Sequence, residues 1–515
     1  MKKMLLTLLV LLSLTAILSG CVDQEKTADE TTLVIAAQWD PKNLDPHEYG
    51  YIGQRIGYTE TLVGVDHNVK LYPLLAEGWD VSDDELTWIF TLRKGVVFHD
   101  STPFTAEIMK QSLERAIQKT AIFNPIPIVS IKATDTQTLT ITLSKPFPPL
   151  AAYLSKGESA ALSPNSYDAN GDVIQPIGTG PFMYESWKPK EEISVIRNPD
   201  YYGTVPTIER VTYRIVPEAV TRGLMLRGGD IQSAMILPPH ISSGFVGNND
   251  YQVLEQPIPR VRMVAFNTER APFDDKRVRQ AFNYAIDRDA IVNSVLEGVG
   301  SPAGGLFPDG FYWANENIKP YTYNPQKAKE LLTDAGWMDS NGDGFRERDG
   351  TRLKVVFTTY PERAELPPHA EVIQQYLKAI GFDVELKVLN VDASNKLRND
   401  GNFDIFLMGR GLLFIPDPDS IMMTDYHSSG TSGDGWGAYR WQNDRVDALI
   451  EEAQVTSDPA KRKALYDEVQ AIVVDEAPVA YLNYYVNIDV IRSNIHGYKM
   501  HPTEQCFHLE NVYIT

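Results

Sequence analysis

Cysteine is scarce in this chain, with two among 515 residues. If Cys21 is chemically modified, Cys506 has no partner and an intramolecular disulfide is excluded. For a single cysteine such as Cys506 a buried structural role is the more common one. Stability must therefore come from a large hydrophobic core, which a chain of this length can form.

Long apolar runs and positive charge are also in short supply. The one long apolar run covers residues 4–18, and we expect no transmembrane helix after it. The net charge is −20. This balance argues against nucleic acid or an anionic lipid surface as a partner, because both require basic patches.

The N-terminus has the features of an export signal. Lys2 and Lys3 precede the apolar run, and small residues and a cysteine end it at 18–21. This arrangement resembles the lipobox of lipoproteins. The resemblance implies a signal peptide at residues 1–20, lipidation of Cys21 and a flexible tether at 21–32; an uncleaved anchor is the alternative. In both cases the remaining chain is expected on the extracytoplasmic face of the membrane, in the periplasm or at the cell surface.

The body of the chain alternates strand and helix patterns. Apolar residues alternating with threonine predict a strand at 139–143, and Thr105 begins a helix with apolar residues at helical spacing. Residues 261–267 predict a strand, which a helix over 275–286 follows. The chain is therefore predicted to have a mixed α/β fold.

Motifs of catalysis and of bare metal binding are missing. The sequence has no G-x-S-x-G or H-E-x-x-H motif, so it does not indicate an enzyme or an enzymatic cofactor. Its nine histidines include no H-x-H or H-x-x-x-H pair, whereas bare Ni²⁺ or Zn²⁺ needs several converging nitrogen or sulfur ligands. A metal is expected only inside a small chelator.

Residues 339–344 are similar to the beginning of a calcium loop. Gly350 stands where the bidentate glutamate of such a loop is needed. A hairpin connection is the favoured interpretation, with calcium as the alternative.

Several motifs follow one another in the order of a known family. They are AEGW at 76–79, TWIFTLRKGVVFHD at 87–100, PIGTGPF at 176–182, RNPDYYG at 197–203, APFDD at 271–275 and YAIDR at 284–288. Together they resemble the family 5 solute-binding proteins of ABC importers, the peptide/nickel-binding group, from about residue 32 onwards.

The resemblance implies a two-lobed clamp of the type II periplasmic-binding-protein class. Lobe one would comprise residues 33–265 and 487–515, with the extra subdomain of this group at 70–170, and lobe two residues 266–486. A ligand in the cleft would close the lobes, because only the closed state contacts it from both sides. The protein, expected to be a monomer, would then deliver its ligand to permease subunits in the membrane.

The cleft positions leave the identity of the ligand open. Phe414 stands where the family's peptide binders have an aspartate for the α-ammonium group, and Asp417 is a nearby substitute. The resemblance to nickel-chelate binders places Arg410 and Thr503 near the cleft and makes His427 the candidate metal ligand. Arg410 is the first candidate, since a buried guanidinium can hold a carboxylate at two points.

Aromatic and polar residues recur at other cleft positions, as expected for a small organic ligand. These candidates are Tyr49, Tyr51, Trp436, Tyr439 and Arg440. The expected function is that of a lipid-anchored binding component of an ABC importer, for a nickel or other transition-metal chelate or a short peptide. The alternative is an oligopeptide or dipeptide receptor, in transport or in sensing, with no metal involved.

Overall fold

The structure is a computed structural model that describes residues 31–431, 437 and 439–515. The predicted signal peptide, the lipidation site Cys21 and the candidate Trp436 lie outside these residues. Within the described part of the chain, no helix has the length and apolar character needed to cross a bilayer.

The described residues form one mixed sheet of eleven strands. One of these strands, Ser301–Pro302, pairs only with the strand Val479–Arg492 and lies off the main strand order. The other ten strands lie in the spatial order Asp383–Val388, Lys354–Thr359, Ile405–Gly411, Tyr251–Phe266, Val479–Arg492, Ser233–Ala234, Thr32–Ala37, Arg210–Ile215, Glu192–Arg197 and Phe182–Lys188.

Two long antiparallel strands, Tyr251–Phe266 and Val479–Arg492, connect the halves of this sheet. We call them the crossing strands. Their pairing shifts register between Pro257 and Val261, an irregularity that bends a strand and increases its twist. Residues 251–257 pair with 486–492 on one side of the shift, and 261–265 pair with 479–484 on the other. Each crossing strand therefore contributes to both halves of the molecule.

A second sheet of four antiparallel strands lies apart from the main one. Its spatial order is Ala76–Val81, Thr87–Leu92, Thr138–Leu143 and Ile128–Ala133. The helix Ala106–Lys119 packs on it through Met109 and Leu113. As predicted, Thr105 caps this helix, and its hydroxyl accepts a hydrogen bond from the backbone N of Ile108.

The largest hydrophobic core lies on the far side of the register shift. It joins Val261–Phe266 of the first crossing strand to aromatic residues such as Phe282, Phe357 and Phe406. Separate cores lie under the four-stranded sheet and beside the strand Thr32–Ala37. The predicted lobe boundaries fall within the two crossing strands and remain a prediction.

The other elements surround these sheets. The helices are Pro46–Tyr49, Tyr51–Arg55, Leu150–Tyr153, Ala219–Gly228, Pro239–Ser242, Lys276–Ala285, Arg288–Val295, Pro325–Asp334, Leu366–Ala379, Val391–Asn399, Asp419–Asp425, Ser428–Thr431, Asp444–Gln454 and Pro459–Glu476. Single 3-10 turns occur at Ala121–Phe123, Gly157–Ser159, Pro164–Ser166, Ser243–Phe245 and Leu509–Asn511. Short strand pairs are Val63–Val65 with Leu71–Pro73, Glu347–Arg348 with Thr351–Arg352, and Ile495–His496 with Tyr513–Ile514.

Two further sequence features, the connection at 339–344 and Cys506, accept hydrogen bonds from nearby backbone N atoms. Asp339 accepts hydrogen bonds from the backbone N atoms of Gly342 and Gly344, and Met338 pairs with Glu347 across the connection. Cys506 is half-buried, and its Sγ accepts a hydrogen bond from the backbone N of His508.

Candidate functional site

A groove, which we call the cleft, runs across the crossing strands between the two halves of the molecule. Its cavity volume is about 540 Å³, within the usual range for small-molecule sites. One wall contains Trp39 and residues 217–220 and 236–241, the other contains Leu296 and residues 361–365, and the floor contains Arg262 and residues 485–488.

Arg262 of the first crossing strand lies on the floor of the cleft, and Arg260 lies next to it on the strand. Arg260 and Arg262 are two residues apart and so share one face of the strand. The guanidinium carbon of Arg262 is 3.5 Å from the ring centroid of Tyr485, and that of Arg260 is 5.7 Å away. The two arginines are only 7% and 6% exposed. Buried guanidinium groups require nearby acceptors or counter-charges.

A third arginine reaches the same aromatic ring from the opposite wall. Arg363 follows the strand Lys354–Thr359, and its guanidinium carbon is 5.5 Å from the Tyr485 centroid and 5.6 Å from the Trp39 centroid. It makes no side-chain hydrogen bond or ion pair with any described residue. Arg363 therefore stands between the two walls with its hydrogen-bonding capacity unused.

Two carboxylates accompany these arginines. Arg260 Nη2 is 2.7 Å from Glu504 Oε2, whereas Arg262 Nη2 is 3.4 Å from Glu365 Oε1. Burial alone would raise the pKa of Glu365, but the charges of Arg262 and Arg363 lower it to about 2. Burial likewise opposes ionisation of Glu504, yet Arg260 and other arginines lower its pKa. Both groups are ionised at neutral pH.

The charge of this floor differs from that of the whole protein. Among the described residues around Tyr485, the three arginines share two carboxylates, while Glu218 and Glu362 lie at the exposed rim of the cleft. The floor therefore carries excess positive charge in a chain whose net charge is −20. Such a floor attracts an anionic group.

Arg410 lies on the other face of the sheet. In the pairing between the first crossing strand and Ile405–Gly411, Arg262 is opposite Gly409 and Val261 is opposite Arg410. Paired residues point to the same face, so Arg410 points away from Arg262. Its ligand role stays a prediction.

The structure brings Arg410 and Tyr439 together at a buried carboxylate. Arg410 Nε and Nη2 are each 2.7 Å from an oxygen of Asp425, and the Tyr439 hydroxyl donates to the same group at 3.1 Å. Asp425 and Tyr439 are both fully buried. This arrangement is that of an internal ion pair.

Tyr49 and Tyr51 lie close to the cleft wall. Their ring centroids are 4.8 Å apart in an edge-to-face contact, and the Tyr51 hydroxyl is 3.4 Å from the backbone O of Trp39. Between them Gly50 packs on Gly157 so closely that a Cβ at Gly157 would lie 2.5 Å from Gly50 O. A side chain larger than glycine therefore does not fit at residue 157 with this packing.

Phe414 and Thr503 both border the floor. They line a small cavity of about 10 Å³ beside Arg260, whose guanidinium carbon is 5.6 Å from the Phe414 centroid. Lys156 Nζ lies over the same ring at 5.5 Å. Phe414 thus contacts two cations through its ring face. Because its side chain is uncharged, it can attract a cation only through this aromatic face.

The remaining candidates have partners elsewhere. Asp417 forms a buried ion pair with Arg462, and Arg440 donates to the backbone O of Asn399. His427 contacts Ser429 at 2.7 Å and Glu451 at 3.5 Å. No three His, Cys, Asp or Glu side chains converge as metal ligands within the residues that the structure describes. The ligand role of these three residues stays a prediction.

Sequence analysis missed the residues that form the floor and walls of the cleft. These are Trp39, Arg262, Arg363 and Tyr485, and Arg260 lies next to Tyr485. A signal was present for Arg262 and its neighbour Arg260, because these two alternate within the otherwise apolar segment 257–266. No comparable local signal marks Arg363, which belongs to a loop.

Comparison with known proteins identifies the class. The family model described as bacterial extracellular solute-binding proteins, family 5 middle, matches residues 70–433. The nickel-binding periplasmic protein of Escherichia coli (strain K12) is 31% identical over 464 residues, which cover 86% of this chain and 87% of that protein. The chain therefore belongs to the family 5 bacterial extracellular solute-binding proteins.

Solved structures agree with this assignment. NikA from Brucella suis in complex with Fe(III)-EDTA has a TM-score of 0.87 at 25% identity, covering 94% of this chain and 100% of its own. DppA from Helicobacter pylori in complex with the peptide STSA has a TM-score of 0.79 at 28% identity, covering 94% and 98%.

The family assignment confirms three predictions. The fold is the type II periplasmic-binding-protein fold of the peptide/nickel group. The relatives are extracytoplasmic substrate-binding proteins of ABC importers and not enzymes, so this chain is a binding protein. Metal chelates are ligands that such relatives transport, and no enzymatic cofactor is indicated.

Proposed function

We propose that this protein is the lipid-anchored binding component of an ABC importer. It captures a nickel or other metal chelate, or a short peptide, in the cleft and delivers it to the membrane permease. The observation that carries this proposal is the cleft of about 540 Å³ with its buried cationic floor. Its size suits a small organic ligand and its charge suits one with anionic groups.

The binding cycle follows from the position of the cleft. With lobe one at residues 33–265 and 487–515 and lobe two at 266–486, Trp39 and Arg363 belong to opposite lobes. A ligand between these walls contacts both lobes only in the closed state and therefore stabilises it. The closed monomer is the form that the permease receives.

Two ligand classes remain in the proposal, and the relatives support each. The Brucella suis structure contains Fe(III)-EDTA and the Helicobacter pylori structure contains a peptide. Both ligands carry carboxylates, which match the cationic floor. A transported metal would arrive inside its chelator, with His427 as the candidate metal contact from lobe two.

The alternative is a peptide receptor that uses no metal, in transport or in sensing. The aromatic side chains of Trp39 and Tyr485 in the cleft favour it, together with Phe414 beside Arg260, since they offer apolar surface to a peptide. Asp417 is paired with Arg462, and its role towards the ammonium group of a peptide stays a prediction.

Native mass spectrometry of purified residues 22–515, combined with elemental analysis, tests the proposal. The protein is incubated with a peptide digest and with nickel and histidine, and then desalted. A bound mass with stoichiometric nickel establishes chelate capture, and metal-free peptide masses establish the alternative. A protein that retains no mass from either mixture contradicts the proposal.

A further inference from the structure

We propose that a latch between the lobes, formed by Tyr153, Ile415, Asp419 and Gln454 outside the cleft, holds part of the protein closed before any ligand binds. This inference rests on the proposed function and its division into lobes, in which residues 70–170 move with lobe one. Ile415, Asp419 and Gln454 belong to lobe two. The latch is a closing element that is separate from the ligand.

The central contact of the latch is a buried hydrogen bond between segments that are 266 residues apart in the sequence. The Tyr153 hydroxyl donates to Asp419 Oδ2 at 2.8 Å, and Asp419 is fully buried. The other carboxylate oxygen accepts a hydrogen bond from Gln454 Nε2 at 3.2 Å. Separation of the lobes would remove the acceptor of the Tyr153 hydroxyl, so this contact favours the closed state.

An apolar contact accompanies this hydrogen bond. Ile415 is 6% exposed and belongs to the hydrophobic core under the four-stranded sheet. The other buried residues of that core lie between Leu62 and Ala161. Lobe two therefore contributes Ile415 to the core of the extra subdomain, and separation of the lobes would expose this side chain to water.

Two polar contacts extend the latch towards the surface. Lys145 Nζ donates to Gln454 Oε1 at 2.9 Å, and the Ser457 hydroxyl donates to Glu85 Oε2 at 2.6 Å. Both contacts join the extra subdomain to lobe two. Because Gln454 also donates to Asp419, the buried and the exposed parts of the latch form one hydrogen-bond network.

Each half of the latch is fixed within its own lobe. The Tyr153 ring centroid lies 5.5 Å from that of Phe147 in the core of the extra subdomain. The backbone N of Asp419 donates to Asp417 Oδ1 at 2.8 Å, and Asp417 forms a buried ion pair with Arg462. Because packing already orients both partners, little side-chain freedom is lost when the lobes meet.

The latch acts on ligand binding through closure alone. Its four residues lie apart from the described residues that line the cleft. A contact made only in the closed state raises the closed fraction of the empty protein, and a ligand that requires closure then binds more tightly. Loss of the latch should therefore weaken the binding of different ligands by the same factor.

A distance measurement between the lobes tests the latch without a ligand. Spin labels are attached at Leu224→Cys in lobe one and Val388→Cys in lobe two, two exposed positions outside the cleft, in residues 22–515 with Cys506→Ser. Double electron–electron resonance then measures the closed and open populations. We expect both populations in the parent protein, and Tyr153→Phe should lower the ratio of closed to open by at least about threefold.

Two further variants keep the test decisive. The Tyr498 hydroxyl also donates to a buried carboxylate at 2.8 Å, but its acceptor Asp489 belongs to the same lobe. Tyr498→Phe is therefore the matched control and should keep the parent ratio. Ser457→Ala removes only the exposed contact with Glu85 and should give a smaller shift than Tyr153→Phe. Unfolding in urea shows that each variant is folded.

Calorimetric titration with trialanine, and with nickel and histidine, separates the two proposals. For each probe that wild type binds, Tyr153→Phe should lower the affinity by the factor that the distance measurement gives. An unchanged ratio of closed to open in Tyr153→Phe, or an equal shift in Tyr498→Phe, would overturn the latch while solute binding stands. If wild type binds neither probe, the proposed function is contradicted, whereas the distances measured without ligand still decide on the latch.

Discussion

Arg410 and Asp425 form a two-point ion pair, with Nε and Nη2 of the arginine each 2.7 Å from a carboxylate oxygen. The aspartate side chain is fully buried, and the arginine side chain is 12% exposed. The pair lies on the face of the sheet opposite to Arg262. An arginine engaged in this way contributes mainly to the stability of the fold.

Replacing Arg410 with alanine should therefore destabilise the fold. The change leaves the Asp425 carboxylate buried without its main counter-charge, which typically costs about 3–5 kcal/mol. Urea unfolding followed by tryptophan fluorescence measures the loss. The double variant R410M/D425L removes both charges and should recover part of it. An Arg410→Ala protein with wild-type stability and weakened ligand binding would show instead that Arg410 contacts the ligand.

The burial of Asp419 should make stability depend on pH. The Tyr153 hydroxyl donates to Asp419 Oδ2 at 2.8 Å. Burial, together with the charge of Asp417, raises the pKa of Asp419 to about 6. Its stabilising contribution is full below pH 4 and is lost as the pH rises through 6.

The comparison of wild type with Asp419→Asn measures this effect. The asparagine side chain does not ionise in this range. Between pH 4 and 7 the free energy of unfolding of wild type should therefore fall relative to that of Asp419→Asn. The expected shift is on the order of 1–2 kcal/mol. A difference that is constant over this range would show that Asp419 titrates normally.

Glu365 should show the opposite dependence. The charges of Arg262 and Arg363 overcome burial and lower its pKa to about 2. Its contribution to stability is present above the ordinary glutamate pKa of about 4.3 and is lost as the pH falls towards 2. Glu365→Gln should therefore lose less stability than wild type between pH 5 and 3, measured by thermal unfolding. Parallel acid curves for the two proteins would contradict this.

Gly409→Ala should weaken binding of a carboxylate ligand. The new methyl group would lie 2.4 Å from the Tyr485 hydroxyl oxygen, so Tyr485 and Arg363 must move. We expect at least a tenfold loss of affinity, about 1.4 kcal/mol, in the calorimetric titration. Gly78→Ala is a suitable control, because a Cβ there meets nothing within 4 Å. Equal affinity in the two variants would show that Gly409 is dispensable.

Cys21 should determine where the protein is found in the cell. We expect wild type to be in the membrane fraction and to incorporate labelled fatty acid. Cys21→Ala should do neither, because the thiol is the proposed attachment point. Label in the alanine variant, or its absence from wild type, would contradict lipidation.

Local sequence predicted those parts of the fold that depend on short-range patterns. Thr105 began a helix as expected, because an N-cap and helical spacing are local properties. The extent of the strand Val479–Arg492 could not be predicted in this way, because it is buried along most of its length and shows no alternation.

The candidate site was harder to predict. Family resemblance pointed to Tyr49, Phe414 and Thr503, which lie near the cleft, and to Arg410, which lies on the other face of the sheet. A position in a sequence does not reveal which face of a strand a side chain occupies. A shift of one residue in register exchanges the two faces.

The sequence by itself determined the family, the mixed α/β class and the expectation of a binding protein, because these follow from composition and from motifs that are continuous in the chain. Only the tertiary structure decided which charges meet. Trp39, Arg262, Arg363 and Tyr485 come from four separate segments, and the fold brings them together in one cleft. Electrostatic recognition depends on distance and burial in space, and neither quantity is written in local sequence.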